Sequence, residues 1–490
     1  MPPVNSESLL SDIEDLTISH PVSYHYFSAE ERDAVRKNLL CWFDQEKREM
    51  PWRKPFDPEM TKEQFAQRAY EVWVSEIMLQ QTQVATVIRY YNTWMEKWPT
   101  IHDLAKASLE EVNQIWAGLG YYSRAKRLLE GAQKVTAFFS GVLPPDAATL
   151  EKDIPGIGRY TAGAIASIAY NKKAALVDGN VMRVLARVRA VGGDTKSKGV
   201  IDLIWKLAED LVPADRPGDF NQALMELGAL VCTPLNPQCN ACPIKYQCIA
   251  LREKNAGGQI ENEETEENIC NFCEASGCEG WEVTRYPRKN VKKPPRDEEC
   301  AVCILERRRE NSSSFLLIKR PAQGLWAGLW EFPSVELSLG TATDSPPPPA
   351  KRRRRTDSLD CKKKSENGPE ARAQLIGDML SSLFGYNIMN NCARQEIGSV
   401  LHLFSHIRKV YHVEWVIIED PTGDVEIVVE EGKNVDKQER RETRWLTREE
   451  LNEAAIPTGM KKCLKAMDTM VKSKSKFKKS KDIRQFFAKK

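Results

Sequence analysis

Hydrophobic and polar positions follow two different periods along the chain. From about Glu30 to Leu251, apolar residues recur at helical spacing, as in 69–98, and glycine or proline breaks separate the periodic segments. From Cys300 the period shortens to that of β-strands. The predicted strands cover 300–309, 313–321, 410–420 and 423–432, with one helix at 371–385 among them. We therefore expect a multidomain protein in which an all-α domain precedes an α/β domain.

Shifts in composition mark the domain boundaries. A Pro- and Arg-rich stretch at about 340–368 has too few apolar residues to build a core, so we interpret it as a disordered basic insertion in the α/β domain. The predicted domains are an N-terminal arm at 1–29, a helical domain at 30–252, a connector at 253–299, the α/β domain at 300–460 and a basic tail at 461–490.

The formal net charge of +2 hides two strongly basic stretches, 346–364 and 471–490. In the first, KRRRR beside KKK is typical of a nuclear localisation signal, although a basic insertion that contacts phosphates has the same pattern. No window has the apolar length of a membrane span, and the N-terminus lacks the apolar core of a secretory signal. We therefore expect an intracellular, nuclear protein.

Four of the 13 cysteines form a compact group with the spacing C-x6-C-x2-C-x5-C. Four thiolates this close together need a metal ion or a cluster to be tolerated, and ligation by four cysteines suits zinc or an iron–sulfur cluster. Spacing alone does not choose between them. The group consists of Cys232, Cys239, Cys242 and Cys248.

A tight turn between two predicted helices lies at Pro155, Gly156 and Gly158, within about 148–170. Backbone N–H groups of such a turn form a neutral anion site that suits a nucleic-acid phosphate, although most glycine turns are plain helical hairpins. Tyr160 follows the turn, and Asp178 follows the apolar helix after it.

These features, in this order, resemble the helix–hairpin–helix DNA glycosylase superfamily with its [4Fe–4S] loop. The motifs PWR (51–53), 72–84, 118–125 and 177–185 resemble its adenine DNA glycosylase, MutY-type, branch. The resemblance covers most of 30–250 and resumes in the second domain. It implies an iron–sulfur cluster on the cysteine quartet.

Breaking an N-glycosidic bond needs a proton donor for the base and a group that stabilises the sugar cation. Glu76 lies in an apolar helix, where burial would raise its pKa and suit it to proton donation; the alternative is a solvated helix face. The resemblance implies that Asp178 stays ionised and supports the sugar, that Tyr160 holds both carboxyl groups, and that Asn180 fixes Asp178 and the water.

Tyr160 occupies the position at which relatives resembling endonuclease III carry a lysine. That lysine forms a Schiff base with the sugar and cleaves the strand, whereas a phenol cannot form the imine. The sequence therefore predicts a monofunctional glycosylase that stops at an abasic site. In isolation, Tyr160 would be interpreted as a helix-packing aromatic residue.

The target base must leave the duplex before its glycosidic bond is accessible. The resemblance implies that Gln81 and Tyr121 fill the gap at the lesion and that Trp52 and Arg53 line the adenine pocket. Of Tyr121 and Tyr122, we expect one to belong to the core.

The second domain raises a rival function, because 316–334 resembles the opening of a Nudix fold. A Nudix phosphohydrolase needs an R-E-x2-E-E run on its helix, and 371–385 carries one aspartate and no glutamate. The resemblance implies instead that this domain recognises 8-oxoguanine opposite the adenine through Phe404, Ser405 and His406.

The connector carries a candidate zinc site. The resemblance pairs His25 with Cys270, Cys273 and Cys278, while Cys300 and Cys303 are competing ligands that fit a strand better. It also implies that the connector recruits a checkpoint clamp.

The tail resembles a box that binds a sliding clamp, with anchors at Ile483, Phe486 and Phe487. Ser480 stands where that box normally has glutamine. The sequence thus predicts a monomeric nuclear enzyme that removes adenine opposite 8-oxoguanine. The alternatives are a bifunctional glycosylase/lyase resembling endonuclease III and a non-catalytic adaptor between lesions and clamps.

Overall fold

A computed structural model describes most of the chain as two compact units. The described residues are 22–257, 270, 272–273, 281–288, 294–310, 312–321, 326–337, 368–384, 392–404, 406–420 and 441–487, with side chains to residue 473. The first unit comprises 1–108 and 124–292, and the second comprises 109–123 and 293–490. Over the described residues, helices long and apolar enough to cross a membrane are absent.

The N-terminal half is helical. Its helices are α1 (Ala29–Glu46), α2 (Lys62–Leu79), α3 (Val84–Lys97), α4 (Ile101–Ala105), α5 (Leu109–Trp116, grouped with the second unit), α6 (Ser123–Phe138), α7 (Ala147–Asp153), α8 (Arg159–Ala164), α9 (Gly179–Val188), α10 (Lys198–Leu211), α11 (Pro217–Leu230) and α12 (Ile249–Asn255). One π-helical turn, Ile165–Ala169, continues α8.

Helix α2 is buried along its second half. Thr61 begins it with a capping box, because its side chain accepts from the N–H of Gln64 and the Gln64 side chain accepts in return. Most residues from Arg68 to Met78 are buried, with Trp73 fully enclosed. The helix ends before Gln81, whose φ of +56° reverses the chain, so the periodic segment 69–98 is two helices.

Small residues shape the turn between α7 and α8. Gly156 has a φ of +82°, and a Cβ there would lie 2.7 Å from the Cβ of Arg127. A Cβ on Gly163 would lie 2.0 Å from the carbonyl oxygen of Ala175, so glycine lets α8 approach the segment that leads to Asp178. Gly158 is the N-cap of α8, and a Cβ there would meet nothing within 4 Å.

The second unit contains a mixed seven-stranded sheet. Its strands are β1 (Arg296–Arg309), β2 (Ser312–Lys319), β3 (Trp330–Glu331), β4 (Ser334–Leu337), β5 (Cys392–Leu403), β6 (Ile407–Glu419) and β7 (Thr443–Leu446). The order is β3-β2-β1-β6-β5; β1 and β6 are parallel, and the other pairs are antiparallel, including β4 on β1 and β7 on β2.

Helices cover both faces of this sheet. Ile376, Leu380 and Phe384 of α13 (Pro369–Phe384) pack on one face. On the other face pack α14 (Arg448–Glu453) and the first turns of α15 (Thr458–Phe487). The predicted strand at 423–432 and the predicted insertion at 340–368 lie outside the described residues, apart from Gly368.

Candidate active site and metal sites

A pocket of about 490 Å³ lies in the helical unit. It opens between α2, the start of α8, the start of α9 and α11. The predicted residues that line it are Trp52, Arg53, Glu76, Gln81, Tyr160, Asp178 and Asn180. Residues separated by more than a hundred positions in the sequence therefore share one cavity.

Glu76 is buried in the pocket wall and accepts a hydrogen bond from the hydroxyl of Tyr160. Burial raises the pKa of Glu76 to about 7, and the nearby carboxyl group of Asp178 acts in the same direction. The Tyr160 hydroxyl also lies 3.4 Å from Sδ of Met225. Burial together with Glu76 raises the pKa of Tyr160 well above its usual value, so the phenol stays protonated.

Asp178 is the N-cap of α9. It accepts from the backbone N–H groups of Asn180 (2.9 Å) and Val181 (2.7 Å) and from the side-chain amide of Asn180 (2.9 Å). Burial raises the pKa of this carboxyl, while these donors and Arg183 act against it. Among the described residues, Asp178 accepts hydrogen bonds from Asn180 and Val181. The hydroxyl of Tyr160 donates to Glu76 and not to Asp178, so the expectation that Tyr160 holds both carboxyl groups is met by a hydrogen bond for Glu76 alone.

Arg183 fixes the amide of Asn180. Its Nη2 donates to Oδ1 of Asn180 (2.8 Å) and to the carbonyl of Gly228 (2.7 Å), and its Nε donates to the carbonyl of Cys232 (2.8 Å). The amide therefore presents its nitrogen to Asp178 and its oxygen to Arg183. Asn180 could be predicted from the sequence, whereas its hydrogen bond from Arg183 could not.

A second buried carboxyl group in the pocket was missed by the sequence analysis. Glu226 of α11 accepts from Arg48 (Nε 2.8 Å, Nη2 2.9 Å) and from Nη2 of Arg53 (3.2 Å). Burial alone would raise its pKa, but the two guanidinium groups lower the pKa of Glu226 to about 2. Gln222, one turn earlier, accepts from Nε of Arg53 (3.0 Å).

The residues expected to contact the DNA have contrasting exposures. Trp52 is buried and packs edge-on against Tyr91, with ring centroids 5.1 Å apart. Tyr121 is 50% exposed and has a φ of +49°, whereas Tyr122 is buried. The expectation that one of the two tyrosines belongs to the core is therefore confirmed.

The four loop cysteines border one small cavity. Arg187 is buried beneath them and donates to Sγ of Cys232 (3.4 Å) and to the carbonyls of Thr233 (2.7 Å) and Pro234 (2.9 Å). In tetrahedral zinc sites the sulfur atoms lie about 3.8 Å apart. Within the described residues, no three of the four cysteines bring their sulfurs within 4.8 Å of one another.

His25, Cys270 and Cys273 do form such a close group, with all ligand atoms within 4.8 Å. Nε2 of His25 lies 3.2 Å from Sγ of Cys270 and 3.4 Å from Sγ of Cys273. Its Nδ1 donates to the carbonyl of Arg189 (2.7 Å), which leaves the Nε2 lone pair facing the thiols. Cys278 lies outside the described residues, and Cys300 and Cys303 are buried in β1.

The sheet unit carries the remaining predicted contacts at the turn between β5 and β6. His406 is exposed, Phe404 is half-buried, and Ser405 lies outside the described residues. Phe404 packs against the rings of Trp326 (5.2 Å) and His402 (4.5 Å). The observed helix α13 begins two residues earlier than predicted, so it carries Glu370 in its first turn as well as the aspartate that was expected, Asp378.

Comparisons with known proteins assign both units. The model of the HhH-GPD superfamily base excision DNA repair protein matches 74–210, and the NUDIX domain model matches 301–466. The adenine DNA glycosylase of Homo sapiens is 45% identical over 456 residues, which cover 90% of this chain and 75% of that protein. The adenine DNA glycosylase of Rattus norvegicus is 43% identical over 481 residues, which cover 95% of this chain and 84% of that protein. This chain belongs to the adenine DNA glycosylase family.

The predicted fold of this glycosylase is thereby confirmed, as is its activity as a base-excision repair enzyme that acts on N-glycosyl bonds. Solved structures match in part. A thermostable thymine-DNA glycosylase is 28% identical with a TM-score of 0.40, covering 46% of this chain and 98% of that one. A trapped endonuclease III–DNA covalent intermediate is 22% identical with a TM-score of 0.38, and the match covers 47% of this chain and 99% of that one.

Proposed function

We propose that this glycosylase hydrolyses the bond between adenine and its sugar and leaves the strand intact at an abasic site. One observation carries the proposal. Among the described residues, those that line the pocket include Tyr160 and three carboxyl groups, those of Glu76, Asp178 and Glu226, but no lysine. A lyase reaction needs an amine at the sugar, and neither a phenol nor a guanidinium forms the imine.

Glu76 is the proposed general acid. With a pKa of about 7, part of the population is protonated at neutral pH. Because the Tyr160 hydroxyl donates to Oε2, the proton of the acid form belongs on Oε1. It passes to a ring nitrogen of adenine as the bond to the sugar breaks. A water then adds to the sugar carbon, and its proton restores the acid form of Glu76.

Asp178 is the proposed stabiliser of the positively charged sugar. The two N–H groups at the start of α9 and the Asn180 amide favour its carboxylate form, against the effect of burial. Asn180, fixed by Arg183, keeps the carboxylate in one orientation. We expect that the same amide helps to place the water.

Substrate recognition is assigned to groups in both units. Trp52 and Arg53 are proposed to line the adenine pocket, where the buried carboxylate of Glu226 holds the guanidinium groups of Arg48 and Arg53 in place. Gln81 and Tyr121 are proposed to fill the gap left by the extruded base, and the N–H groups of the turn at Gly156 and Gly158 to bind a phosphate. Phe404, Ser405 and His406 are proposed to recognise 8-oxoguanine opposite the adenine.

Two metal centres fit the residues present. Cys232, Cys239, Cys242 and Cys248 would hold a [4Fe–4S] cluster, because all four thiols border one cavity and four cysteine thiolates are the ligand set of such a cluster. The cluster would anchor the loop after α11. His25, Cys270 and Cys273 would hold zinc, with Cys278 as the fourth ligand.

The remaining proposals rest on the sequence alone. They are a nuclear location through the basic insertion, a monomeric state, binding of a checkpoint clamp by the connector, and binding of a sliding clamp through Ile483, Phe486 and Phe487. The side chains of those three anchors lie outside the described residues.

The deciding experiment uses an end-labelled duplex with adenine opposite 8-oxoguanine, sampled with and without hot alkali, beside an Asp178→Asn control. Breaks that appear only after alkali, and are absent with the control, support a monofunctional glycosylase. Breaks without alkali would indicate a glycosylase/lyase. Tight binding without an alkali-labile product would indicate an adaptor. A parallel duplex with guanine opposite adenine tests the preference for 8-oxoguanine.

A further inference from the structure

The side chain of Arg124 bonds to the C-terminal end of α2. Its Nη1 donates to the carbonyl oxygens of Ile77 (2.7 Å), Met78 (3.3 Å) and Gln80 (2.7 Å). The last carbonyls of an α-helix have no partner within the helix, and a guanidinium there complements the negative end of the helix dipole. Arg124 therefore acts as a side-chain cap of α2 that comes from the start of α6.

The turn that this cap supports is strained. Gln80 leaves the helical conformation, and Gln81 has a φ of +56°, a left-handed conformation that is unfavourable for a residue with a Cβ. The turn closes with one backbone bond, from the N–H of Thr82 to the carbonyl of Leu79 (3.2 Å). The bond from Arg124 to the Gln80 carbonyl holds the residue immediately before the strained position.

Arg124 lies outside the substrate pocket. Glu76 and Gln81 both line that pocket, whereas Arg124 lines a separate cavity of about 40 Å³ with Trp73, Gln80 and Gly156. The groups that shift the pKa of Glu76 are Tyr160, Asp178 and Arg53, together with burial. An effect of Arg124 on the reaction must therefore pass through the backbone of the turn and not through the charge of the acid.

We propose that Arg124 is a positioning residue that holds Gln81 in its left-handed conformation, and that this conformation is needed for extrusion of the adenine rather than for bond cleavage. The proposal rests on the function proposed above, in which Gln81 fills the gap in the duplex. A glutamine released from the turn loses part of the advantage of filling that gap, because ordering it again costs conformational entropy.

The test compares Arg124→Met, Arg124→Lys and Lys126→Ala on a duplex with 2-aminopurine, an adenine analogue whose fluorescence rises on unstacking, opposite 8-oxoguanine. Lys126 lies on the same helix in an exposed pair with Glu130 (3.7 Å), so its loss controls for the removed positive charge. We expect Arg124→Met to slow the fluorescence rise about tenfold, since it removes charge-assisted hydrogen bonds. Lys126→Ala should match the wild type.

Three further readouts separate positioning from general destabilisation. The pH midpoint of single-turnover adenine removal should be unchanged in Arg124→Met. Arg124→Lys, which keeps a donor, should recover part of the extrusion rate, and it decides the case if the methionine variant does not fold. Gln81→Gly, which adopts the turn without strain but lacks the side chain, should slow extrusion. The double variant with Gln81→Gly and Arg124→Met should extrude the base at nearly the same rate as Gln81→Gly alone.

Several outcomes would overturn the proposal. They are an unchanged fluorescence rise in Arg124→Met and in Arg124→Lys, a shifted pH midpoint, or fully additive losses in the double variant. The proposed function fails separately, because it requires the wild type to produce alkali-labile sites, whereas the fluorescence rise reports extrusion whether or not the bond is cut.

Discussion

Within one pocket, two buried glutamates have opposite acid strengths. Glu76 contacts a phenol and an apolar wall, and burial raises its pKa to about 7. Glu226 receives three hydrogen bonds from the guanidinium groups of Arg48 and Arg53, which lower its pKa to about 2. Such a division separates a proton donor from a fixed anion in the same cavity. The chemistry proposed for the site depends on this difference.

The first prediction concerns the pH dependence of adenine removal. A general acid acts in its protonated form, and Glu76 is protonated below its pKa, so the single-turnover rate should fall as the pH rises through about 7. Glu76→Gln, which has no proton to donate, should be about 10²- to 10⁴-fold slower than the wild type below pH 7, and the difference should shrink at higher pH, where Glu76 of the wild type is also deprotonated. A wild-type rate that stays constant up to about pH 9 would contradict the assignment.

The second prediction concerns Glu226→Gln. This change keeps the shape of the side chain but leaves the 10% exposed guanidinium of Arg53 without its anion. We expect the free energy of unfolding to fall by about 2–4 kcal/mol and the rate of adenine removal to decrease. Glu209→Gln breaks an exposed pair with Arg159 (2.9 Å) and should change stability by less than about 1 kcal/mol. Denaturant titration of both variants measures the difference.

Sequence reasoning found one of these two glutamates. Glu76 stood out as an acid within an apolar helix, and a family motif covers it. Glu226 has the same signal, since α11 is apolar around it, but its partners Arg48 and Arg53 lie more than 170 positions earlier. Because side-chain pairs between distant segments leave no local pattern, the ion pairs required the structure.

At the scale of elements, helix ends hold the reactive groups. Asp178 begins α9, Arg124 caps the end of α2, and Tyr160 lies in the first turn of α8. Glycine and proline breaks made the helices and the turn at Gly156 predictable. Strand β5 was missed because an irregularity between Glu396 and Gly398 divides its alternation into two short runs, 394–397 and 398–403. Tertiary pairing with β6 forms that strand, rather than its own pattern.

The third prediction concerns the cysteine loop. The buried guanidinium of Arg187 donates to the backbone of Cys232, Thr233, Pro234 and Tyr286, so it holds the start of the loop against the segment at 283–286. Arg187→Met should lower the iron content per protein and the visible absorbance of the cluster, because the first thiol is no longer held. Tyr246→Ala, which truncates a side chain that is 83% exposed in the same loop, should leave both unchanged. Full iron content in Arg187→Met would contradict this role.

Across the whole chain, His25, Cys270 and Cys273 connect segments about 245 positions apart. The same region is held by Arg189, which donates to the carbonyls of Tyr24, His25 and Tyr26. Closing so long a loop removes many conformations from the unfolded chain, so a metal here would stabilise the folded state more than a local clip would. The family resemblance suggested this site, but the distances between ligand atoms required the structure.

The fourth prediction follows from that geometry. The wild type should contain one zinc ion per chain. Nε2 of His25 and Sγ of Cys273 lie 3.4 Å apart, near the separation of about 3.6 Å expected between two ligand atoms of a tetrahedral zinc site. His25→Ala and Cys273→Ser should therefore each lose the zinc ion and unfold at a lower temperature. Cys41→Ser, which removes an exposed thiol on α1, is the control and should keep both zinc and stability. Elemental analysis after dialysis against a chelator measures zinc and iron together, so the two centres are distinguished. If the histidine variant retained zinc and stability, His25 would be a packing residue whose imidazole serves only to bind the carbonyl of Arg189.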